Sequence, residues 1–529
     1  MNTPTRDRNS KCLWRWILGA VVWTWLPSPI PAQDRPPNVV FFLVDDLGWR
    51  DLGCYGSNLY ETPHIDQLAK QGVRFTSAYA ACHVCSPTRA SILTGKYPAR
   101  LGLTDWISGR RDFPFQKLTN VRGLQSLPLG ESTLAETLKA AGYTTAAIGK
   151  WHLGKSPSDP SAHGFDQHVP KNWSRGTPNR TFHAPFGLQG LEGPKGEYLT
   201  DRLTDEAEKF FESNRTRPFF LYLAHFAVHD PIQGRADLVE KYKKKLTESP
   251  PVAGPAFALE DNPDSDQPST SKQRVERLRD PEYAGYHVLP NRTVKVKQHQ
   301  DNAQFAGMVE AVDQSLGRVV AKLEQLKLSE NTILIFFSDN GGMAAANFGN
   351  PKRVIRKTRL GRAYSTSNLP LRGAKGWLYE GGIRVPMIVK WPGGGDRGTT
   401  CDVPVISTDF YPSILEMAGL PSKPKQHVDG VSITPLLRGQ HKLERTAIYW
   451  HFPHYSNHGM QSPGGAIRSG NYKLLDYFEN GTAQLFDLAN DIGEQNDLAD
   501  TQPEVVNKLR AMLKTWRTEV SAQMPPRKR

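Results

Sequence analysis

Cysteine is scarce: five in 529 residues, at positions 12, 54, 82, 85 and 401. That density argues against a disulfide-built scaffold. Cys82 and Cys85 form a C-x-x-C pair, but no second ligand pair follows at the spacing a structural zinc needs, and the Pro87-Thr88-Arg89 continuation does not fit a thioredoxin-type redox pair. Long apolar runs are also missing after residue 26, so no later segment is expected to span a membrane. Basic and aromatic residues nowhere interleave in a nucleic-acid-binding module, despite a formal charge of +13, so nucleic acid is not an expected partner. A modest basic excess suits an anionic substrate instead. With 38% hydrophobic and 22% charged residues, the composition is ordinarily globular.

The N-terminal 32 residues have the layout of a cleaved export signal. Arg6, Arg8, Lys11 and Arg15 precede the apolar run from Trp16 to Leu26, and Pro27 to Pro31 break any helix before the small residue Ala32. The run is shorter than the ~20 residues a bilayer span requires. The mature protein is therefore expected to be soluble and exported. Residues 33–440 are expected to form a catalytic domain and 441–529 a smaller antiparallel-sheet subdomain with a basic tail.

Four apolar runs end in polar groups. Asn38 to Val44 is a continuous run of the kind buried on both faces of a parallel sheet, and it ends in Asp45-Asp46. Thr144 to Ile148 delivers Lys150 and His152. Phe219 to Ala224 precedes His225 and His229. Thr332 to Phe337 ends in Asp339-Asn340. Carboxyl ends of parallel strands are where open α/β sheets bind ligands. Between these runs, residues 155–198 read as long surface loops, and 247–300 as a polar, Pro-rich insertion. Lys241 to Lys245 reads as a solvated helix end. Beyond 440, short strands at 466–469, 472–477 and 484–488, with the Asn480-Gly481 turn signal, suggest an antiparallel sheet closed by a helix near 503–518. The final Pro-Pro-Arg-Lys-Arg reads as a disordered tail.

The stretch from Cys85 to Gly95, Cys-Ser-Pro-Thr-Arg-Ala-Ser-Ile-Leu-Thr-Gly, reads as a helix start. Pro87 suits a first helical position, Cys85 falls at or just before the N-cap, where the helix dipole favours negative charge, and Arg89 returns to the same end one turn later. A helix start with a buried cysteine is the plain structural alternative. The pattern C-x-P-x-R followed by T-G resembles the signature of the type I sulfatases, members of the alkaline phosphatase superfamily. The resemblance extends through Asp45-Asp46, Gly149-Lys150-Trp151-His152, Val228-His229, Asp339-Asn340 and Lys375-Gly376.

That resemblance implies an α/β/α sandwich built on a large, mostly parallel mixed sheet, plus a smaller C-terminal antiparallel sheet with a helix. It implies that Cys85 is oxidised to formylglycine by a formylglycine-generating or anaerobic sulfatase-maturing enzyme, and that the aldehyde hydrate attacks sulfur. Asp45, Asp46, Asp339, Asn340 and the modified Cys85 would hold Ca²⁺ or Mg²⁺, an oxygen set suited to a hard cation. Arg89, Lys150 and Lys375 would neutralise the sulfate. His229 would protonate the leaving oxygen, and His152 would deprotonate the covalent hemiacetal to expel sulfate. The loops carrying Asp105-Trp106 and His451 to His454 resemble those of carbohydrate sulfatases, so a sulfated sugar, of the galactose or N-acetylgalactosamine type, is the expected substrate. A phosphonate or phosphodiester hydrolase and a non-catalytic glycan-binding relative are the alternatives.

Overall fold

The computed structural model describes residues 35–171, 175–395 and 397–528; the export signal expected over 1–32 lies outside them. Eight strands form the main sheet: β1 (Asn38–Val44), β2 (Val73–Phe75), β3 (Thr144–Gly149), β4 (Gln167–Val169), β5 (Phe219–Ala224), β6 (Thr332–Ser338), β7 (Met387–Lys390) and β8 (Thr399–Cys401). Their order is β8-β2-β7-β6-β1-β5-β3-β4. Only β7 runs antiparallel to its neighbours; the other pairs are parallel.

Strand β1 shows why the run is unbroken. Val40, Phe42 and Val44 point into one core and Val39, Phe41 and Leu43 into another. Successive side chains alternate across the sheet, so a strand covered on both faces must be apolar at every position. The first face is covered by helices Pro63–Gln71, Leu199–Ser213, Ala236–Glu248 and Ala303–Gln325. The second is covered by Cys85–Thr94, Leu134–Ala140 and Phe410–Met417. This is the α/β/α sandwich the resemblance implied.

A second sheet of four antiparallel strands follows: β9 (Ile448–Phe452), β10 (Gly464–Ser469), β11 (Tyr472–Tyr477) and β12 (Ala483–Asp487). Helix Pro503–Glu519 packs on it through Val506, Leu509, Leu513 and Trp516. Lys473 anchors this sheet from inside: its Nζ lies 2.9 Å from Glu380 and 2.8 Å from Glu494, all three side chains fully buried.

Several expectations are corrected. Residues 155–198 are not simply surface loops: Gln167–Val169 pairs with β3, and Phe182, Phe186, Leu188 and Leu191 are buried. Within the polar insertion, Phe257–Glu260 and Val294–Lys297 form an antiparallel pair, and the buried Asp264 carboxylate accepts hydrogen bonds from the Glu479 and Asn480 amides. Lys241 and Lys245 are not merely solvated; both pair with Glu61. Pro87 sits two residues inside the helix, whose first residue is Cys85. The C-terminal residues are pinned, with Thr119 N–H donating to Pro526 and Lys528 N–H to Lys117.

Candidate active site

The register of the sheet assembles the site. Val44 aligns with Ser338, and Leu43 and Gly149 both align with Ala224. These strands are parallel, so Asp45, Asp339, Lys150 and the turn leading to His229 all emerge on one edge. Helix Cys85–Thr94 points its N-terminus there, and every residue in it is buried. Among the described residues, Cys54, Cys82, Cys85 and Cys401 are free thiols.

Charge pairing at this edge is dense. Arg89, fully buried, donates through Nε to Asp339 Oδ2 at 2.8 Å and through Nη1 to the Lys150 carbonyl at 2.7 Å. Lys150 Nζ lies 2.5 Å from Asp45 Oδ2. Lys375 Nζ donates to both oxygens of Asp46, at 2.6 and 2.7 Å, and stands 3.7 Å from Cys85 Sγ. Asn340 Nδ2 donates to Asp46 Oδ1 at 2.8 Å. Three cations therefore face three carboxylates at hydrogen-bonding distance. Asp46 and His152 both adopt positive φ, 62° and 57°, a region costly for non-glycine residues and concentrated at functional sites.

The two histidines are held in opposite states. His152 Nε2 lies 2.7 Å from the Ile107 carbonyl, which can only accept, so Nε2 carries the hydrogen and Nδ1 is left with a bare lone pair and no partner. Burial, reinforced by the Lys150 charge, holds this imidazole well below its ordinary pKa. His229 Nδ1 lies 2.6 Å from Asp230 Oδ1, and Nε2 lies 3.6 Å from Asp46 Oδ2. Burial opposes its charge, but Asp46, Asp230 and Asp45 outweigh burial and hold it well above the ordinary value. One is a neutral acceptor and the other a charged donor.

The residues fit a hard divalent cation. Asn340 Oδ1 and Asp45 Oδ1 are buried without a hydrogen-bond partner, a state that costs ~1–3 kcal/mol for such a group; Asp45 Oδ1 has the Arg89 guanidinium 3.7 Å away. Ligand atoms of Asp45, Asp46, Cys85 and His229 lie within 4.8 Å of one another. Asp339 stands apart from that group: Arg89 holds Oδ2, and Oδ1 accepts the Asp46 N–H at 3.3 Å.

A cavity of about 370 Å³ opens above Cys85, His152, His229 and Lys375. Asp105 and Trp106 line it; His451 and His454 do not. The expected aromatic loop is in fact strand β9 up to Phe452. His451 Nε2 turns 2.8 Å toward the Gln523 carbonyl, and His454 Nε2 lies 2.8 Å from Thr104 Oγ1. Four residues further on, His458 lines the cavity with both ring nitrogens buried and unpartnered. Burial pushes its pKa down to about 3, so it is neutral, with one donor and one acceptor to offer. Burial likewise lifts Asp105 to about 7. Asn347, Ser456 and Asn457 line the cavity as well. No local sequence pattern marked this wall: of β9 only Phe452 reaches it, and Asn347, Ser456, Asn457 and His458 lie outside the named strands.

Comparison with known proteins identifies the family. Residues 37–420 match the sulfatase family model, and residues 374–520 match the model of the C-terminal region of N-sulphoglucosamine sulphohydrolase. The chain is 31% identical to a sulfatase of Formosa agariphila over 94% of this chain and 92% of the relative. It is 29% identical to the N-acetylgalactosamine-6-sulfatase of Canis lupus familiaris, covering 79% and 69% respectively. A crystal structure of Ps i-CgsB in complex with k-i-k-neocarrahexaose superposes with a TM-score of 0.66 at 27% identity, covering 91% of this chain and 93% of that one. The chain belongs to the sulfatase family and is a sulfuric ester hydrolase.

Proposed function

We propose that this enzyme removes sulfate from a sulfated carbohydrate, of the galactose or N-acetylgalactosamine type, using an oxidised Cys85. The observation that carries the reading is that one cavity brings together Cys85, Lys375, His152 with an unpartnered Nδ1, and His229 held through Nδ1 by Asp230. One imidazole free to accept a proton and one oriented to donate are the pattern of an acid–base pair.

Formylglycine at position 85 would supply a hydrated aldehyde oxygen as nucleophile. Calcium or magnesium held by Asp45, Asp46 and Asn340, with Asp339 tied in through Arg89, would supply positive charge beside the sulfate oxygens. His229 holds a proton on Nε2 and delivers it to the sugar oxygen as the S–O bond breaks. His152 presents Nδ1 as the base that takes a proton so that sulfate can leave. Lys150 and Lys375 stabilise the charge that develops on the transferring group. His458 and Asp105 bind sugar hydroxyls, a reading supported by the likeness to an N-acetylgalactosamine-6-sulfatase and to a structure in complex with k-i-k-neocarrahexaose. Oxidation of Cys85 would take a formylglycine-generating or anaerobic sulfatase-maturing enzyme as partner, and the export signal expected from the sequence of residues 1–32 supports an exported location. Among the described residues no helix is long and apolar enough to cross a membrane.

The test is turnover of matched sulfate and phosphate monoesters by the parent and by Cys85→Ala. The sulfate ester should be strongly preferred and the variant inert. Preference for the phosphate ester, or turnover by Cys85→Ala, would overturn the reading.

A further inference from the structure

Between Asp339 and Glu380 the chain contains no Asp or Glu. Within that interval lie Lys352, Arg353, Arg356, Lys357, Arg359 and Arg362, and all six are exposed. Among the described residues none of them forms an ion pair with a carboxylate. Six like charges in eleven residues repel one another, by up to ~1 kcal/mol for a close pair even in water. They are exposed and, among the described residues, meet no carboxylate, so their grouping adds no ion-pair stability.

The stretch is nevertheless held in place. Ile355 is buried, and its N–H donates to the Tyr286 carbonyl at 2.8 Å. Asn302 Nδ2 donates to the Gly361 carbonyl at 2.6 Å. Most telling is Arg353, whose Nη1 donates to the carbonyl of Asn347 at 2.8 Å, and Asn347 lines the catalytic cavity. Asn347 also forms an isolated backbone bridge with His458, which lines the same cavity. The cationic ridge is therefore continuous with the mouth of the active site. Further cations crowd its flank: burial together with the Lys357 charge holds Lys295 below the ordinary lysine range. At its foot Pro351 helps wall a second cavity of about 610 Å³, together with Phe115 and Arg292.

We propose that the 352–362 ridge is a binding surface for a polysulfated glycan chain, along which neighbouring sulfate groups dock while one sulfate enters the catalytic cavity. This rests on the carbohydrate-sulfatase reading and extends it from a single sugar to a polymer. Guanidinium groups suit the role, because their planar donors match the oxygens of sulfate in pairs, and a pinned ridge loses little order on binding. The ridge starts at the active-site wall, which favours a polymer bearing the substrate sulfate over a nucleic acid or an anionic membrane.

The test compares the full enzyme with a variant carrying Arg356→Ser, Lys357→Ser, Arg359→Ser and Arg362→Ser. Affinity for a chondroitin 6-sulfate chain of about twenty sugars is measured across a salt series, beside turnover of 4-nitrocatechol sulfate. The variant should bind the chain at least tenfold more weakly, with the slope of log affinity against log salt reduced by about two to three. Turnover of the aryl sulfate should be unchanged, which also verifies folding. Equal affinity and slope in the two proteins would overturn the proposal. So would single-stranded DNA or phosphatidylserine vesicles bound by the parent as tightly as the glycan and released by the same substitutions. Failure of the parent to hydrolyse any sulfate ester, with glycan binding intact, would overturn the catalytic reading and leave the ridge standing.

Discussion

Lys375 Nζ spans both carboxylate oxygens of Asp46, at 2.6 and 2.7 Å, while standing 3.7 Å from Cys85 Sγ. The cation thus couples the Asp46 carboxylate to position 85, the nucleophile in the proposed reading. In Lys375→Met, Asp46 keeps a buried charge beside Asp45, a loss of the kind that costs ~3–5 kcal/mol. Turnover of any sulfate ester should fall at least 100-fold. The melting temperature should drop in chelator and recover more on adding Ca²⁺ than it does in the parent, because a bound divalent ion replaces the missing charge. A variant whose melting temperature ignores calcium would contradict the placement of the cation site.

Recognition of the sugar is assigned to the cavity wall and not to the end of β9. His458→Ala and Asp105→Asn should each lower kcat/KM on a sulfated sugar by roughly 10- to 100-fold, about 1.5–3 kcal/mol for lost hydrogen bonds to the substrate. A small aryl sulfate should be turned over nearly as before. His451→Ala should affect neither substrate, since its ring faces Gln523. Paired kinetics on the two substrates decide this; equal losses on both would contradict it.

The small sheet is held by one buried lysine between two buried glutamates. Lys473→Met should destabilise the protein by ~3–5 kcal/mol in denaturant unfolding, because it leaves the buried Glu494 without an ion-pair partner while Glu380 keeps Arg384 and Tyr79. Adding Glu494→Gln to the same variant should recover much of that loss. No recovery would mean that packing around Lys473, and not charge, is what matters.

Asp313 accepts hydrogen bonds from the Ile65 and His64 amides at the start of a helix, at 2.8 and 3.3 Å. Burial lifts its carboxyl to about 7. Between about pH 4 and pH 7 the folded chain therefore holds a proton that the unfolded chain has released. This group's contribution to stability is fully present below pH 4 and is lost as pH rises to 7. Asp313→Asn should flatten the decline of melting temperature across that window relative to the parent. An identical slope in both proteins would contradict the assignment.

The gathering of polar residues at one edge of the sheet was legible in the sequence because of a physical coincidence. Strands buried on both faces must be apolar throughout, so the first polar residues after Val44, Gly149 and Ser338 mark the sheet's edge, and parallel pairing places them together. The partners of those residues were not legible. Nothing in the Lys375-Gly376 loop indicates that Lys375 would meet Asp46, an ion pair across 329 positions. The cavity wall was misread for a related reason. β9 is buried on both faces along most of its length, so Trp450, His451 and Phe452 lacked the polar alternation of a half-exposed strand and read as an aromatic loop. The buried segment around Phe182 and Leu191 is rich in glycine and proline, which mask its apolar anchors. The insertion before residue 300 is ordered by side chains such as Asp264 that satisfy distant backbone groups, and local composition does not report such contacts.

Peptide mass spectrometry of the active enzyme across residue 85 tests the central claim most directly. The account expects a species ~18 Da lighter than the cysteine form, the difference between CH₂SH and CHO, in proportion to specific activity across preparations of varying maturation. Fully active enzyme carrying only unmodified cysteine at position 85 would contradict it.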